Sequence, residues 1–227
     1  MSTGKTAILF FSRTLNAEFL AKPFGLSKHR FSEFYKFLVR KTLSVARETE
    51  LPLFEIYSNS QTGDTFNERL LNAVMSVQQS GYENVIVLGN DTFGISKDSL
   101  LNAADQLNSG RDVVGKDQHG GVFLLGLTED GSRKLSQRTV KWRTSSVYRQ
   151  LVETLDPFQL PEDYIDVNSH EDVKSLLRSK EWFLGEFYRL LSGIFSVSHN
   201  LIAHVPSVLL RNHETVLLMR GPPALAA

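Results

Sequence analysis

The stretch Asn84–Leu127, NVIVLGNDTFGISKDSLLNAADQLNSGRDVVGKDQHGGVFLLGL, decides the fold. Its first apolar run, Val85–Leu88, is continuous, which is typical of a strand buried on both faces of a sheet. Ser96 then has the character of a helix N-cap, and Gly110 stands where the helix should stop. A second apolar run, Val122–Leu125, follows two adjacent glycines. The order of strand, crossover helix and strand predicts a parallel α/β sheet.

Asp91 stands just beyond the predicted end of the first of these strands. Open α/β sheets bind their ligands at the carboxyl ends of the strands, so any chemistry is expected near this carboxylate. A second interpretation is purely structural: Asp91 could cap the turn that leads into the Ser96 helix. The sequence leaves both interpretations open.

The composition of the whole chain excludes several classes of protein. It has 227 residues, 41% of them hydrophobic and 22% charged, as in an ordinary globular protein with a sizeable core. Lysine plus arginine equals aspartate plus glutamate, 25 of each, so no overall field attracts nucleic acid. The absence of cysteine rules out disulfides and thiolate chemistry, and a cytoplasmic location is expected. No apolar run is long enough to predict a membrane span.

The chain before Asn84 predicts two more strands and two helices. Ala7–Phe11 and Leu51–Tyr57 have the composition of strands, and the segment between them, from Ser12 to Ser27, is predicted to be a loop. Aromatic and aliphatic residues at helical spacing predict a long helix over 29–47. Thr65 and Glu68 have the spacing of a capping box at the start of the next helix.

The chain after Leu127 continues the alternation. Thr128–Ser136 is predicted to be a loop, Thr144–Leu155 a helix and Tyr164–Asn168 a short strand. The resulting fold class is α/β, a three-layer sandwich with a mainly parallel central sheet. We expect one domain over 1–178 and a C-terminal extension over 179–227, made of a helix and a hairpin. The aromatic residues of that extension suggest a homodimer surface.

Four stretches together resemble a family of uncharacterised bacterial proteins with a GT-A-like nucleotide-diphospho-sugar transferase fold, generally classed as glycosyltransferases. Gln61–Leu70 resembles the family motif Q-x-G-x-D-L-G-E-R-L, and Gly89–Ile95 resembles G-S-D-C-P-G-L. Asp112–Gly115 with His119–Leu127 resembles D-V-V-L-G-P-x-x-D-G-G-Y-Y-L-I-G-L, and Asp166–Val173 resembles D-V-D-T-P-E-D-L. The resemblance covers roughly residues 7 to 178.

The chain departs from the family at four places. The basic loop after the first strand is largely absent, and only Arg13 and Lys22 remain in it. His119 replaces the aspartate before the paired glycines, and Phe93 replaces a proline. Asn168 replaces the second late aspartate, a change that related sugar nucleotidyltransferases also tolerate. These departures concern the site rather than the fold.

The resemblance implies a metal-dependent glycosyltransferase that uses a nucleotide-diphospho-sugar donor and an unknown acceptor. It implies Mg²⁺ or Mn²⁺ as cofactor, because these ions prefer oxygen ligands and are shared between carboxylates and phosphates. The residues expected to take part are Asp91, Asp166 and Asn168 as metal ligands, Asp91 and His119 as catalytic groups, and Arg13, Lys22, Gly120 and Gly121 as contacts of the nucleotide sugar.

Structural interpretations and two other functions remain open at this point. Asp166 and Asn168 could be turn residues, the paired glycines a bulge, and His119 an ordinary surface histidine. A sugar nucleotidyltransferase on the same fold would take a nucleoside triphosphate and release pyrophosphate. A degenerate, non-catalytic binding or scaffold protein would keep the fold without the reaction, and the reduced basic loop favours it.

Overall fold

The structure is a computed structural model that describes residues 5–161 apart from positions 23 and 143, and also 165–167, 172, 173 and 193. At positions 92, 93, 165 and 166 it describes the backbone only. In this part of the chain the strands are β1 (Thr6–Ser12), β2 (Leu53–Tyr57), β3 (Asn84–Leu88), β4 (Thr92–Phe93), β5 (Val113–Lys116), β6 (Val122–Leu127), β7 (Phe158–Gln159) and β8 (Ile165–Asp166). The helices are α1 (Leu15–Ala21), α2 (Lys28–Glu48), α3 (Phe66–Gln79), α4 (Lys97–Asn108), α5 (Glu129–Ser136) and α6 (Val147–Leu155).

Six strands form the central sheet in the order β2-β1-β3-β6-β5-β7. β1 pairs in parallel with β2 and β3, and β5 pairs in parallel with β7. β6 is antiparallel to both of its neighbours, so the other five strands of this sheet all run in one direction. The expected mainly parallel sheet is therefore confirmed, with one reversed strand inside it.

Helices cover both faces of the sheet because its central strands are apolar on both sides. Alternate residues of β1 show the division. Ala7, Leu9 and Phe11 pack into a core with residues of α3, α5 and α6, whereas Ile8 packs into a second core with residues of α2 and α4. All seven residues of β1 are buried. These two cores and the sheet between them are the predicted three-layer α/β sandwich.

The helix boundaries predicted from capping signals are confirmed. The Thr65 hydroxyl accepts a hydrogen bond from Glu68 N, and the Glu68 carboxylate accepts one from Thr65 N, so the capping box at α3 is complete. At α4 the Ser96 hydroxyl accepts from Ser99 N. Gly110 has a φ of +83° just beyond α4, a conformation that glycine adopts without strain.

The strand–helix–strand interpretation of Asn84–Leu127 is wrong about the relative direction of its two strands, which the sequence predicts to be parallel. β6 is antiparallel to β3, and the strand that runs parallel to β3 after α4 is β5, which sequence reasoning missed. β5 has only four residues, and β5 and β6 form a hairpin that inserts β6 between β3 and β5. Gly115 permits their close packing, because a β-carbon there would lie 2.3 Å from the ring of Phe123.

Two segments predicted as loops contain helices. Within Ser12–Ser27, α1 forms about two turns and carries a buried glutamate, Glu18. Within Thr128–Ser136, α5 forms because the Thr128 hydroxyl accepts from Gly131 N and Leu135 is buried. Acidic residues in the first turn and basic residues in the last turn of α5 also suit the helix dipole.

The predictions for the C-terminal part of the chain fall largely outside the described residues. This applies to the helix and hairpin expected over 179–227 and to the domain boundary at 178, which stay predictions. The short strand predicted over Tyr164–Asn168 is present as β8. Among the helices of the described ranges, none has the length and apolar character that crossing a bilayer requires.

Candidate active site

A cleft of about 880 Å³ opens at the carboxyl ends of β1 and β3. These two strands mark the point where the order of the sheet reverses, since β2 lies on one side of β1 and β3 on the other. A crevice forms at such a point because the connections leave the two strands in opposite directions. Arg13 follows β1 and Asp91 follows β3, and both line the cleft.

Four charged side chains, Arg13, Glu18, Lys22 and Asp91, form one ion-pair cluster in this cleft. The Lys22 ammonium donates to the Asp91 carboxylate at 2.8 Å and lies 3.4 Å from the Glu18 carboxylate. The Arg13 guanidinium donates to the other Glu18 oxygen at 2.9 Å. The Glu18 side chain is only 6% exposed, so it lies beneath the two basic residues rather than on the surface.

The cluster is also visible in the pKa values of its members. Burial alone would raise the pKa of the Asp91 carboxyl, but the Lys22 ammonium overrides burial and holds that pKa below its usual range. Burial would likewise lower the pKa of Lys22, whereas the charges of Asp91 and Glu18 raise it. Both partners are therefore held in their charged forms at neutral pH.

Local backbone geometry positions this cluster. The Tyr35 hydroxyl of α2 donates to the Arg13 carbonyl at 2.6 Å, which ties the start of the α1 segment to the core. Gly89 lets the Asp91 side chain turn back over the end of β3, since a β-carbon on Gly89 would lie 2.7 Å from Asp91 Oδ1. Glu18 and Lys22 face the same way because Lys22, the C-cap of α1, is four residues beyond Glu18.

The β5–β6 loop forms a second wall of the cleft, and a buried carboxylate shapes it. Asp117 Oδ1 accepts hydrogen bonds from the backbone N–H groups of His119 and Gly121, each at 2.7 Å. Gly120 has a φ of +83°, and a β-carbon there would lie 2.3 Å from the Ser145 carbonyl oxygen. A β-carbon on Gly121 would lie equally close to Asp117 Oδ2. The paired glycines thus have a structural reason within the loop itself, and Gly121 also lines the cleft.

His119 lines the cleft from this loop and contacts a carboxylate that is distant in the sequence, Asp172. Its Nε2 lies 3.1 Å from Asp172 Oδ1. The imidazole is 57% exposed, whereas the Asp172 side chain is 10% exposed. Because Asp117 fixes the backbone of His119 and Asp172 contacts its ring, the orientation of this imidazole is set by two carboxylates.

Part of the cleft wall is aromatic. The rings of Phe66 and Trp142 meet with their centroids 5.0 Å apart, and both residues line the cleft. The Trp142 indole N–H donates to Asn67 Oδ1 at 2.9 Å. Arg69, next along α3, donates to the carbonyls of Gly63 and Asp64 and also lines the cleft. This part of the wall offers ring faces and a guanidinium, in contrast with the ion-pair cluster.

The predicted metal ligands are only partly covered by the structure. β4 and β8 pair so that Thr92 is opposite Asp166, and Val167 N donates to the Asp91 carbonyl at 2.8 Å, which brings the backbone of Asp166 beside that of Asp91. The side chain of Asp166 and all of Asn168 lie outside the described residues. The described side chains contain no group of three histidines, cysteines or carboxylates that could hold a metal.

The chemistry of Asp91 nevertheless fits a shared cation. Mg²⁺ and Mn²⁺ are commonly held by one or two protein carboxylates, with phosphate oxygens and water completing the coordination. Asp91 can supply one such carboxylate, but one of its oxygens already accepts from Lys22. The described residues therefore fit an ion that arrives with a ligand's phosphates.

Sequence reasoning found most of one wall of the cleft and missed the groups beneath it. Arg13, Lys22, Asp91, His119 and Gly121 converge as residues of one cleft, which the sequence could only suggest. The residues it missed are Glu18, Asp117 and Asp172. Glu18 has a sequence signal, its spacing of four residues from Lys22, but the sequence predicts a loop for this segment. The contacts of Asp117 and Asp172 depend on the folded hairpin and left no comparable pattern.

Comparisons with known proteins agree with this architecture. Residues 42–144 match the family described as "Uncharacterized protein conserved in bacteria (DUF2064)", which confirms the family resemblance of the motifs. The crystal structure of a proposed nucleotide-diphospho-sugar transferase from Desulfovibrio desulfuricans G20 matches with a TM-score of 0.69 and 19% identity, covering 85% of this chain and 96% of that one.

A more distant match is Rv0371c from Mycobacterium tuberculosis H37Rv, with a TM-score of 0.51 and 13% identity, covering 79% of this chain and all of that one. No curated protein matches the sequence significantly. Identities this low establish a shared fold and nothing finer. The chain has the nucleotide-diphospho-sugar transferase fold that its motifs predicted.

Proposed function

We propose that this protein is a glycosyltransferase that uses a nucleotide-diphospho-sugar donor. The observation that carries the proposal is the convergence of Arg13, Lys22 and Asp91 on one cleft at the switch point of the sheet. Two basic side chains suit a diphosphate, and the carboxylate suits the cation that accompanies it. The fold supports the proposal because ligands of open α/β sheets bind at this point.

In this proposal Arg13 and Lys22 contact the donor's diphosphate, and Asp91 holds Mg²⁺ or Mn²⁺ together with Asp166 and Asn168. When bound, the cation offsets the charge that develops on the leaving phosphate. Gly120 and Gly121 are assigned to the wall beside the donor, where Gly121 lacks a side chain that would obstruct the cleft. Lys22 must exchange part of its contact with Asp91 for a contact with phosphate.

His119 is assigned to the acceptor's proton. The acceptor hydroxyl oxygen forms a bond to the anomeric carbon of the sugar, and the bond from that carbon to the diphosphate oxygen breaks, so the nucleoside diphosphate leaves with the bonding electrons. The hydroxyl proton passes to the imidazole, a group suited to this role near neutral pH. Asp172 orients the ring through its contact with Nε2.

Calorimetric titration with nucleotide sugars of the common bases, with and without Mn²⁺, tests the donor site. We expect at least one nucleotide sugar to bind, more tightly with Mn²⁺, and Asp91→Asn to weaken the Mn²⁺-dependent binding by about 10-fold to 100-fold, the range seen when a metal's environment is altered. Asp130→Asn, in the exposed first turn of α5, is the matched control. If no nucleotide sugar binds and Asp91→Ala changes nothing, the proposal fails.

A non-catalytic binding protein is the second candidate, and one observation favours it. The two basic residues that would hold phosphate are already engaged by Glu18 and Asp91. A protein of this kind would bind a nucleotide sugar without consuming it. Release of the nucleoside diphosphate, followed with and without a panel of sugar and lipid acceptors, separates the two functions. A cytoplasmic location and a homodimer remain predictions, which cell fractionation and light scattering would check.

A further inference from the structure

The buried glutamate of the cleft, Glu18, has no role in the reaction proposed above. Its two carboxylate oxygens divide between the basic residues, one at 2.9 Å from Arg13 Nη1 and the other at 3.4 Å from Lys22 Nζ. A carboxylate in this position reduces the attraction of both bases for an anion. An anion site would bind phosphate more strongly without it, so its presence calls for a reason.

The charges of the described side chains that line the cleft balance, without counting the Asp166 carboxylate that the proposed function assigns to the cation. Among the described residues, the positive side chains of the cleft are Arg13, Lys22 and Arg69, and its negative ones are Glu18, Asp91 and Asp117. His119 adds no formal charge when neutral. A formally neutral, partly buried site discriminates strongly against a ligand with a large net charge, because charges interact more strongly where water is partly excluded.

The two classes of donor that this fold could take differ in net charge. A nucleotide-diphospho-sugar carries about two negative charges, and a nucleoside triphosphate about four at neutral pH. With one divalent cation the first is close to neutral, whereas the second keeps about two negative charges. The balanced cleft matches the first.

We propose that Glu18 determines donor class, so that the cleft takes a nucleotide-diphospho-sugar and rejects a nucleoside triphosphate. This inference rests on the proposed function and sharpens it. It separates glycosyl transfer from nucleotidyl transfer by the charge of a residue whose ion pairs, among the described residues, are with the two side chains assigned to phosphate. Glu18 is therefore a specificity-determining residue that acts through Arg13 and Lys22.

Matched ligand pairs test the inference without knowledge of the base. Each pair shares a base and differs in the phosphate part: UDP-glucose and UTP, GDP-mannose and GTP, ADP-glucose and ATP, dTDP-glucose and dTTP. In calorimetry with Mn²⁺ we expect the wild-type protein to bind the sugar member of its preferred pair at least about tenfold more tightly than the triphosphate. A preference for the triphosphate overturns the inference, and no variant is needed for this measurement.

The variant Glu18→Gln removes the charge and keeps an oxygen that can accept from Arg13. We expect it to tighten the binding of the triphosphate about tenfold. The binding of the nucleotide sugar should also tighten, but by a several-fold smaller factor, because the triphosphate has the larger negative charge and gains more from the added positive charge of the site. Glu153→Gln is the control, since it removes the same charge from an exposed position on α6. Equal changes in both ligands, or none, show that Glu18 does not set the donor class.

The outcomes distinguish this inference from the proposed function. Binding of a nucleotide sugar with an unaltered preference in Glu18→Gln overturns the inference and leaves the glycosyltransferase proposal intact. If neither member of any pair binds, both fail. A further measurement uses the wild-type protein with triphosphates and sugar 1-phosphates. We expect no pyrophosphate release, and its appearance overturns the inference.

Discussion

The two edges of the central sheet, one where its parallel strands end and one where they begin, shift the pKa of a carboxylate in opposite directions. Asp91 lies past the carboxyl end of β3 and pairs with Lys22, which lowers its pKa. Asp112 lies at the opposite edge, before β5, where burial raises its pKa although Thr128 N and the Thr128 hydroxyl both donate to it. One carboxylate is paired with a lysine in a cleft, and the other accepts hydrogen bonds from a backbone and a side-chain donor.

The same contrast extends to the neutral polar groups. Three polar side chains hydrogen-bond to one another at the same edge as Asp112. The Thr6 hydroxyl donates to Asn108 Oδ1 at 2.9 Å, and the Asn84 amide donates to Thr6 and to Asn108 at 3.3 Å each. Polar groups at this edge form hydrogen bonds with one another at the boundary of the core. At the cleft edge the charged groups line a space large enough for a ligand. Stability should depend on the first edge and binding on the second.

Asp112→Ala should give the largest effect and tests the closed edge. It removes the acceptor of two Thr128 donors at a buried position, which should lower the free energy of unfolding by about 3 kcal/mol. Urea denaturation measures the change, and nucleotide-sugar affinity should stay within about twofold. Asp130→Ala, on the exposed side of α5, is the control and should alter stability little. A loss of affinity at full stability would contradict the division between the edges.

Gly120→Ala tests the cleft loop. The new β-carbon combines a φ of +83° with a distance of 2.3 Å to the Ser145 carbonyl, so the loop that carries His119 must move. Gly110→Ala is a matched control, because Gly110 has the same φ and open space around its missing β-carbon. We expect Gly120→Ala to be less stable than Gly110→Ala by about 2 kcal/mol in urea denaturation and to bind ligand more weakly. Equal stabilities would show that the Ser145 contact imposes no constraint.

Asp91→Asn tests how the ion pair between Asp91 and Lys22 makes stability depend on pH. Because the folded protein lowers the pKa of Asp91, the pair contributes stability above the unfolded pKa, about 3.9, and loses it as pH falls through the lower folded value. The variant should be less stable than the wild type by about 1 kcal/mol at pH 7. Thermal midpoints recorded from pH 7 downward should converge at the acidic end. A gap that persists below both pKa values would mean that the pair with Lys22 is not its cause.

Asp112→Asn should show the opposite pH dependence and the smallest change. The folded protein raises the pKa of Asp112, so protonation favours the folded state, and this contribution is present below the unfolded pKa and is lost as pH rises through the folded value. Relative to Asp112→Asn, the wild type should therefore lose stability as pH rises from about 4. Thermal midpoints over the same pH series measure it. If the stability difference from the wild type changed with pH in the same direction for Asp91→Asn and Asp112→Asn, the contrast between the two edges would be wrong.

The sequence predicted those features that depend on neighbouring residues. The continuous apolar runs of β1 and β3 predicted buried strands, and the Thr65 and Ser96 caps predicted where two helices begin, because each signal lies within a few residues. It failed where the local signal was weak. α1 has seven residues and α5 eight, and helices this short are marginal in isolation, so tertiary packing rather than propensity makes them helical.

Sequence by itself determined that the chain is an α/β protein with a carboxylate, Asp91, at the end of a central strand, since periodicity and chain order suffice for both. Only the tertiary structure decided that β6 runs against its neighbours, because strand direction depends on which edges pair. It also brought Lys22 to Asp91 and Asp172 to His119, residues that are far apart in the sequence and meet only when the chain folds over the sheet. The spacing of Glu18 and Lys22 is a local signal, but the meeting of all these charges in one cleft depends on the long-range contacts.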